Sequence, residues 1–180
     1  MRHFALSAVG RDRPGIVAAV TEVLLSHALN IEDSQATILR GHFTMMLVVA
    51  ASADADVDAL RSGLDAVRDR LELEALTLSE LAEVDPASEP AASHMVTVYG
   101  ADHPGIVHAA TAALAERGVD VTDLTTKLAD EDGGAALYAL MMEVALPAGG
   151  DEAELTGALE RVGAEQGVEV SVRPLEPDAL

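Results

Sequence analysis

The 180-residue chain is 49% apolar and only 2% aromatic, enough to bury a core of Leu, Val, Ile, Ala and Met, which excludes a disordered chain. It has no Cys, which excludes disulfides, thiolate metal sites and a Cys nucleophile. The formal charge is −20, with seven basic against fifteen acidic residues in the first ninety positions and four against sixteen in the last ninety, and this disfavours direct contact with nucleic acid or an anionic membrane.

Residues 3–9 alternate as a short strand buried mainly on one face. A turn at 10–13 follows, with Pro14 suited to the first helical position because its missing N–H costs nothing there. Ile16, Val20, Val23, Leu24 and Ala28 then recur at helical spacing, and the helix is expected to reach about His27. Residues 31–39 read as a second strand, Arg40, Gly41 and His42 as a hairpin turn, and 43–51 as a third strand. The near-continuous apolar run of that third strand implies a central position with both faces covered. Residues 52–58 open a second helix with acids in its first turn, and Val57, Leu60, Leu64, Val67 and Leu71 form its apolar stripe. Leu73, Ala75, Thr77, Ser79 and Leu81 belong to a fourth strand. Residues 84–93 hold two prolines and no periodic pattern and read as a linker.

The order then repeats. Strands are expected at 95–99, 120–128, 136–146 and 168–172, with helices at about 104–117 and 151–166. The polar turn at 130–134 is longer than its counterpart in the first half, and the end of the chain from Pro174 reads as a loose tail. Each half is strand-helix-strand-strand-helix-strand. The expected fold is α+β: two ferredoxin-like βαββαβ domains at 1–83 and 94–175, each a four-stranded antiparallel sheet with both helices on one face, followed by a tail at 176–180. Sheet edges and open faces need cover, from pairing of the halves or from a homodimer.

The first strand-helix turn is written twice. Gly-Arg-Asp-Arg-Pro-Gly-Ile-Val at 10–17 and Gly-Ala-Asp-His-Pro-Gly-Ile-Val at 100–107 agree at six of eight positions. A helix start offers unpaired N–H groups and a positive dipole end, which suit a carboxylate. Asp12 and Asp102 can hold an ammonium group, and Asn30 can orient either end of a zwitterion. Gly15 and Gly105 would let a ligand or another backbone come close. The structural alternative is that the two Asp residues only stabilise the helix start and the glycines only make the turn. Arg11 and Arg13 flank the first corner and Ala101 and His103 the second, so the first is the stronger carboxylate site; His103 could touch ligand or sense pH.

Other constellations fail. No Lys-Ser/Thr follows the glycines, as a phosphate loop requires. Asp54, Asp56 and Asp58 start like a calcium loop, but Ala59 and Asp65 stand where Gly and Glu are needed. His94, His103 and His108 lack metal-ligand spacing, and no local signal assembles a Ser-His-acid triad.

Each half resembles the ACT domain, a regulatory amino-acid-binding module. The residues that carry the resemblance are Gly10, Asp12, Pro14, Gly15 and Ile16 with Asn30 and Ile31, and Gly100, Asp102, Pro104, Gly105 and Ile106 with Asp120 and Val121. Two such modules with little else are similar to the tandem-ACT regulators of the glycine cleavage system transcriptional repressor family. The resemblance implies an amino-acid site at these corners, often between two modules. Asp12 and Asn30, and Asp102 and Asp120, stand at its ligand-contacting positions, with Arg13 and His103 beside them. Gly10 and Gly100 stand where some members carry a ligating side chain.

The reading is therefore a noncatalytic, cytoplasmic regulatory protein without cofactor or metal. It senses a small amino acid, glycine or serine first, and acts on a protein partner in transcription control. A regulatory subunit of an amino-acid biosynthetic enzyme is the alternative, and a metal-assisted hydrolase a distant third.

Overall fold

The computed structural model describes residues 1–82, 90–129 and 137–175. The expected turn at 130–134, the tail at 176–180 and most of the expected linker lie outside the described residues. The chain divides into two compact units, Met1–Asp85 and Pro86–Leu180.

The first unit runs β1 (Arg2–Arg11), α1 (Ile16–Ser26), β2 (Asn30–Leu39), β3 (His42–Ala51), α2 (Val57–Leu71) and β4 (Ala75–Glu80). Its strands lie in the order β2-β3-β1-β4, with every neighbouring pair antiparallel. Period-two alternation sends Phe4, Leu6 and Ala8 to one face, beside their partners Val49, Leu47 and Met45. Ile16, Val20 and Leu24 of α1 and Leu60, Leu64 and Val67 of α2 close over that face. The Asp56 carboxylate starts α2 by accepting the Ala59 N–H at 3.0 Å, and Arg68 and Arg70 sit in the last turn against the negative end of the dipole.

The second unit repeats the plan with β5 (His94–Ala101), α3 (Ile106–Ala115), β6 (Asp120–Ala129), β7 (Leu137–Ala145), α4 (Glu152–Gln166) and β8 (Val168–Pro174). Its order is β6-β7-β5-β8. Val96, Val98, Leu140, Met142 and Val144 meet Ile106, Ala110, Leu114, Leu155 and Leu159 in the core. Asp151 caps α4, accepting from Ala153 and Glu154. Both units are the α+β, ferredoxin-like arrangement expected from the sequence. Among the described residues no helix is long and apolar enough to cross a membrane.

Four expectations need correction. β1 continues through Gly10 and Arg11, because both stay paired with β3, and Pro14 lies in the turn two residues before α1. β3 is internal, but its second face is only partly covered: Ala50 there is buried, whereas Met46 is 51% exposed. β4 spans Ala75–Glu80, so Leu73 and Leu81, expected in it, lie outside it; within it Leu76 and Leu78 are buried while Thr77 and Ser79 point away. Ser93 is not free linker: its N–H donates to Val144 and its carbonyl accepts from Leu175.

Gly10 and Gly100 have a steric cause. A Cβ on Gly10 would lie 2.8 Å from Leu73 Cδ2 and 3.2 Å from Leu73 Cα; on Gly100 it would lie 2.7 Å from Val168 Cγ1 and 3.2 Å from Val168 Cα. The chain leaving the second helix of each unit crosses too closely for any side chain. Gly100→Ala is expected to destabilise the protein by about 1–3 kcal/mol through overpacking, measured by urea unfolding. Gly157→Ala in α4, where a Cβ meets only Arg161 Nη1 at 4.0 Å, is expected to be neutral or stabilising by up to about 1 kcal/mol.

Candidate functional site

Each corner is built from the end of the first strand, a four-residue turn and the first turn of the first helix. The Asp12 N–H donates to Gly41 O at 2.9 Å and holds the corner against the β2–β3 turn. Gly15 takes φ 96° and Gly105 φ 108°, the left-handed region, so each helix starts from a glycine with no side-chain cap. A Cβ on Gly15 would meet nothing within 4 Å, so backbone conformation, not a close contact, requires this glycine. The first helical bonds are Ala19 N–H to Gly15 O and Ala109 N–H to Gly105 O, both 2.9 Å. The N–H groups of Ile16, Val17 and Ala18, and of Ile106, Val107 and His108, therefore have no partner within their helices.

Asp12 and Asp102 are exposed, and neither side chain caps its helix. Among the described residues neither carboxylate has a hydrogen-bond donor, and each stands beside a positive helix end. Pro14 and Pro104 are exposed in the turns. Ile16 and Ile106 are 1% and 2% exposed and pack in the two cores, so only their backbone N–H groups can face a ligand. Leu73 and Val168 fill the space beside Gly10 and Gly100.

The residues between Asp and Pro brace the corners. Arg13 Nη2 lies 3.4 Å from Glu72 Oε2, at the end of α2. His103 Nδ1 lies 3.1 Å from Pro104 O and its Nε2 2.8 Å from Gln166 O, the last residue of α4. α4 has no basic residue in its last turn, and His103 supplies that cation from the loop. The facing carbonyls of Pro104 and then Gln166 raise the imidazole's pKa above its ordinary 6.5, with Asp102 adding to the effect.

Asn30 and Asp120 lie elsewhere. Asn30 pairs with Ala50, which faces His3, whereas Asp12 sits beside Gly41 and His42. Eight residues of β3 separate these levels, roughly 26 Å. Within one unit, Asp12 and Asn30 are thus at opposite ends of the sheet. Asp120, paired with Ala145, is likewise remote from Asp102. Ile31 and Val121, each 38% exposed, lie on the helix side of these edge strands, just before a register shift in each.

The structure also assembles a group that sequence spacing missed. Ser93 Oγ is 2.9 Å from His94 Nδ1, and His94 Nε2 is 3.5 Å from Glu152 Oε2. The Ser93 hydroxyl is committed to structure, accepting from Leu146 N–H and contacting Val144 O, so it ties the start of β5 to β7 and is not a poised nucleophile. Among the described residues no three His, Cys, Asp or Glu side chains converge on a metal position. The described clefts, about 380 Å³ between α1 and α2 and about 260 Å³ beside Arg117 and Asp151, are not lined by corner residues.

The ACT domain model matches residues 2–77 and 94–173, and the chain belongs to the ACT domain family. It is similar along its whole length to the glycine cleavage system transcriptional repressor of Escherichia coli, with 27% identity covering 94% of this chain and 88% of that one. A UPF0237 protein of Methanopyrus kandleri is 40% identical over 81 residues, 44% of this chain and 90% of its own length. Among solved structures, a protein of unknown function from Galdieria sulphuraria superposes with a TM-score of 0.80 at 28% identity, covering 97% of this chain and 99% of that one.

The His103 brace is expected to be pH-dependent. Its folded pKa is raised, so its contribution to stability is complete below about 6.5 and is lost as pH rises through the folded value. Thermal melts across this range should show the wild-type chain losing stability relative to His103→Arg, which keeps the charge. His103→Gln should flatten the dependence.

Proposed function

We propose that this chain is a noncatalytic amino-acid sensor of two ACT modules, at 1–83 and 94–175 with a linker at 84–93, acting on a protein partner. The observation that carries the reading is the corner itself: an exposed carboxylate without a donor beside three free N–H groups at a helix start. That set complements an α-amino acid, whose carboxylate meets the N–H groups and whose ammonium meets Asp12 or Asp102. The first corner has the fuller claim, since Arg13 adds a cation and the space at Gly15 is open, whereas Gln166 Oε1 would lie 3.5 Å from a Cβ on Gly105.

A second module completes the site. All ten residues of β2 are exposed, as are 120–128 of β6, so each sheet has an unpaired edge. The helix side of these edges carries apolar Ile31, Ile38, Val121, Leu124 and Leu128. Antiparallel pairing of two such edges brings Asn30 or Asp120 of one module to the hairpin end of the other, where the corner lies. The neighbour is a second copy in a homodimer. Ligand held across that seam biases module pairing, and the difference in affinity between paired and unpaired states is the signal.

Whole-length similarity to the Escherichia coli repressor supports control of transcription through a cytoplasmic protein partner, and the acidity of the chain agrees with a route that avoids DNA contact. Glycine and serine are the first ligands to test. Asp12→Ala is expected to weaken amino-acid binding by at least about tenfold, the scale of a hydrogen bond to a charged group. Calorimetry reads that change, and the melting temperature should barely move because Asp12 is exposed. Unchanged affinity would remove Asp12 from the site.

A further inference from the structure

The two corners differ in an aromatic side chain that neither motif contains. Gly100 pairs across the sheet with Tyr138, and Tyr138 pairs on its other side with Leu128 of the edge strand. Thr126, two residues along that strand and on the same face, stands diagonal to Tyr138 and puts a second hydroxyl within its reach. In the first unit Gly10 pairs with Phe43 and Phe43 with Ile38, and Ala36 stands where Thr126 stands in the second. Phe43 is 7% exposed and belongs to the core, whereas Tyr138 is half-buried at its edge. Burial chiefly, and the nearby Asp102 carboxylate, hold the phenol above its ordinary pKa, so it is a neutral hydrogen-bonding group. By register, Tyr138 thus stands between Gly100, at the start of the Asp102 corner, and the exposed edge β6. The first unit offers only carbon there.

We propose that the Tyr138 hydroxyl selects the ligand of the second corner, favouring an amino acid whose side chain carries a hydroxyl, while the first corner, with Phe43, makes no such selection. This rests on the reading of the corners as amino-acid sites. A site group that hydrogen-bonds a ligand hydroxyl discriminates against the analogue that lacks it, because its own bond is then unmade.

The test is calorimetry on the full chain carrying Asp12→Ala, which weakens the first corner, with serine and alanine as probes differing only in the hydroxyl. Serine is expected to bind about fivefold tighter than alanine, the scale of one neutral hydrogen bond. Adding Tyr138→Phe should bring the ratio to about one through loss of serine affinity alone. A ratio near one in the parent, or one unchanged by Tyr138→Phe, overturns the proposal and leaves the amino-acid reading standing. So does binding by the wild-type chain that vanishes entirely in Asp12→Ala. No binding of any amino acid to the wild-type chain overturns both. Phe43 shows that a phenylalanine fits this sheet position. Should Tyr138→Phe still fail to fold, Thr126→Val on the exposed strand carries the test: the ratio is expected to fall, and an unchanged ratio overturns the proposal.

Discussion

Two helices cover one face of a four-stranded sheet and leave the edge strand bare, and the rest of this architecture follows from that shortfall. β1, β3 and β4 send alternate side chains under α1 and α2, whereas every residue of β2 stays exposed, and the second unit repeats the pattern in β6. A ten-residue edge strand whose outward backbone donors and acceptors have no strand partner, flanked by isoleucine or leucine, is a template for another strand. The same sheet places Asp12 and Asn30 of one unit at opposite ends, roughly 26 Å of strand apart.

The corners show how a helix start is made without a capping side chain. An N-cap Asp or Ser would consume one of the free N–H groups. Gly15 and Gly105 reach the required backbone geometry through positive φ and leave those donors unspent, while Asp12 and Asp102 stay at the surface. The second helices do the opposite: Asp56 and Asp151 cap them conventionally. The contrast within one chain separates helix starts that serve folding from helix starts that remain open.

Duplication preserved the frame and let the chemistry diverge. Arg13 becomes His103, Asn30 becomes Asp120 and Phe43 becomes Tyr138, yet Gly10 and Gly100 are held by the same crowding from Leu73 and Val168. At 13 and 103 the side chain reaches the end of the second helix in both units, meeting a carboxylate in one case and a carbonyl in the other. The braces are equivalent in place but differ in pH response.

Most of the fold was legible in the sequence. The doubled turn, the helical stripe at Leu60, Leu64 and Val67, and the order of elements depend on local periodicity and turn chemistry, which a linear pattern carries. Strand phase was harder: the short run at 73–81 has apolar residues in both registers, and only packing under α2 decides that Leu76 and Leu78 face inward. The corner was legible as chemistry, because Asp, Pro and Gly have fixed conformational uses. What surrounds it was not. The Leu73 and Val168 crossings, the contact of His103 with Gln166, the Ser93–His94–Glu152 group and the place of Tyr138 beside Gly100 join residues distant in the chain. Their cause is strand register and helix length, and those are set when the whole sheet closes on its helices.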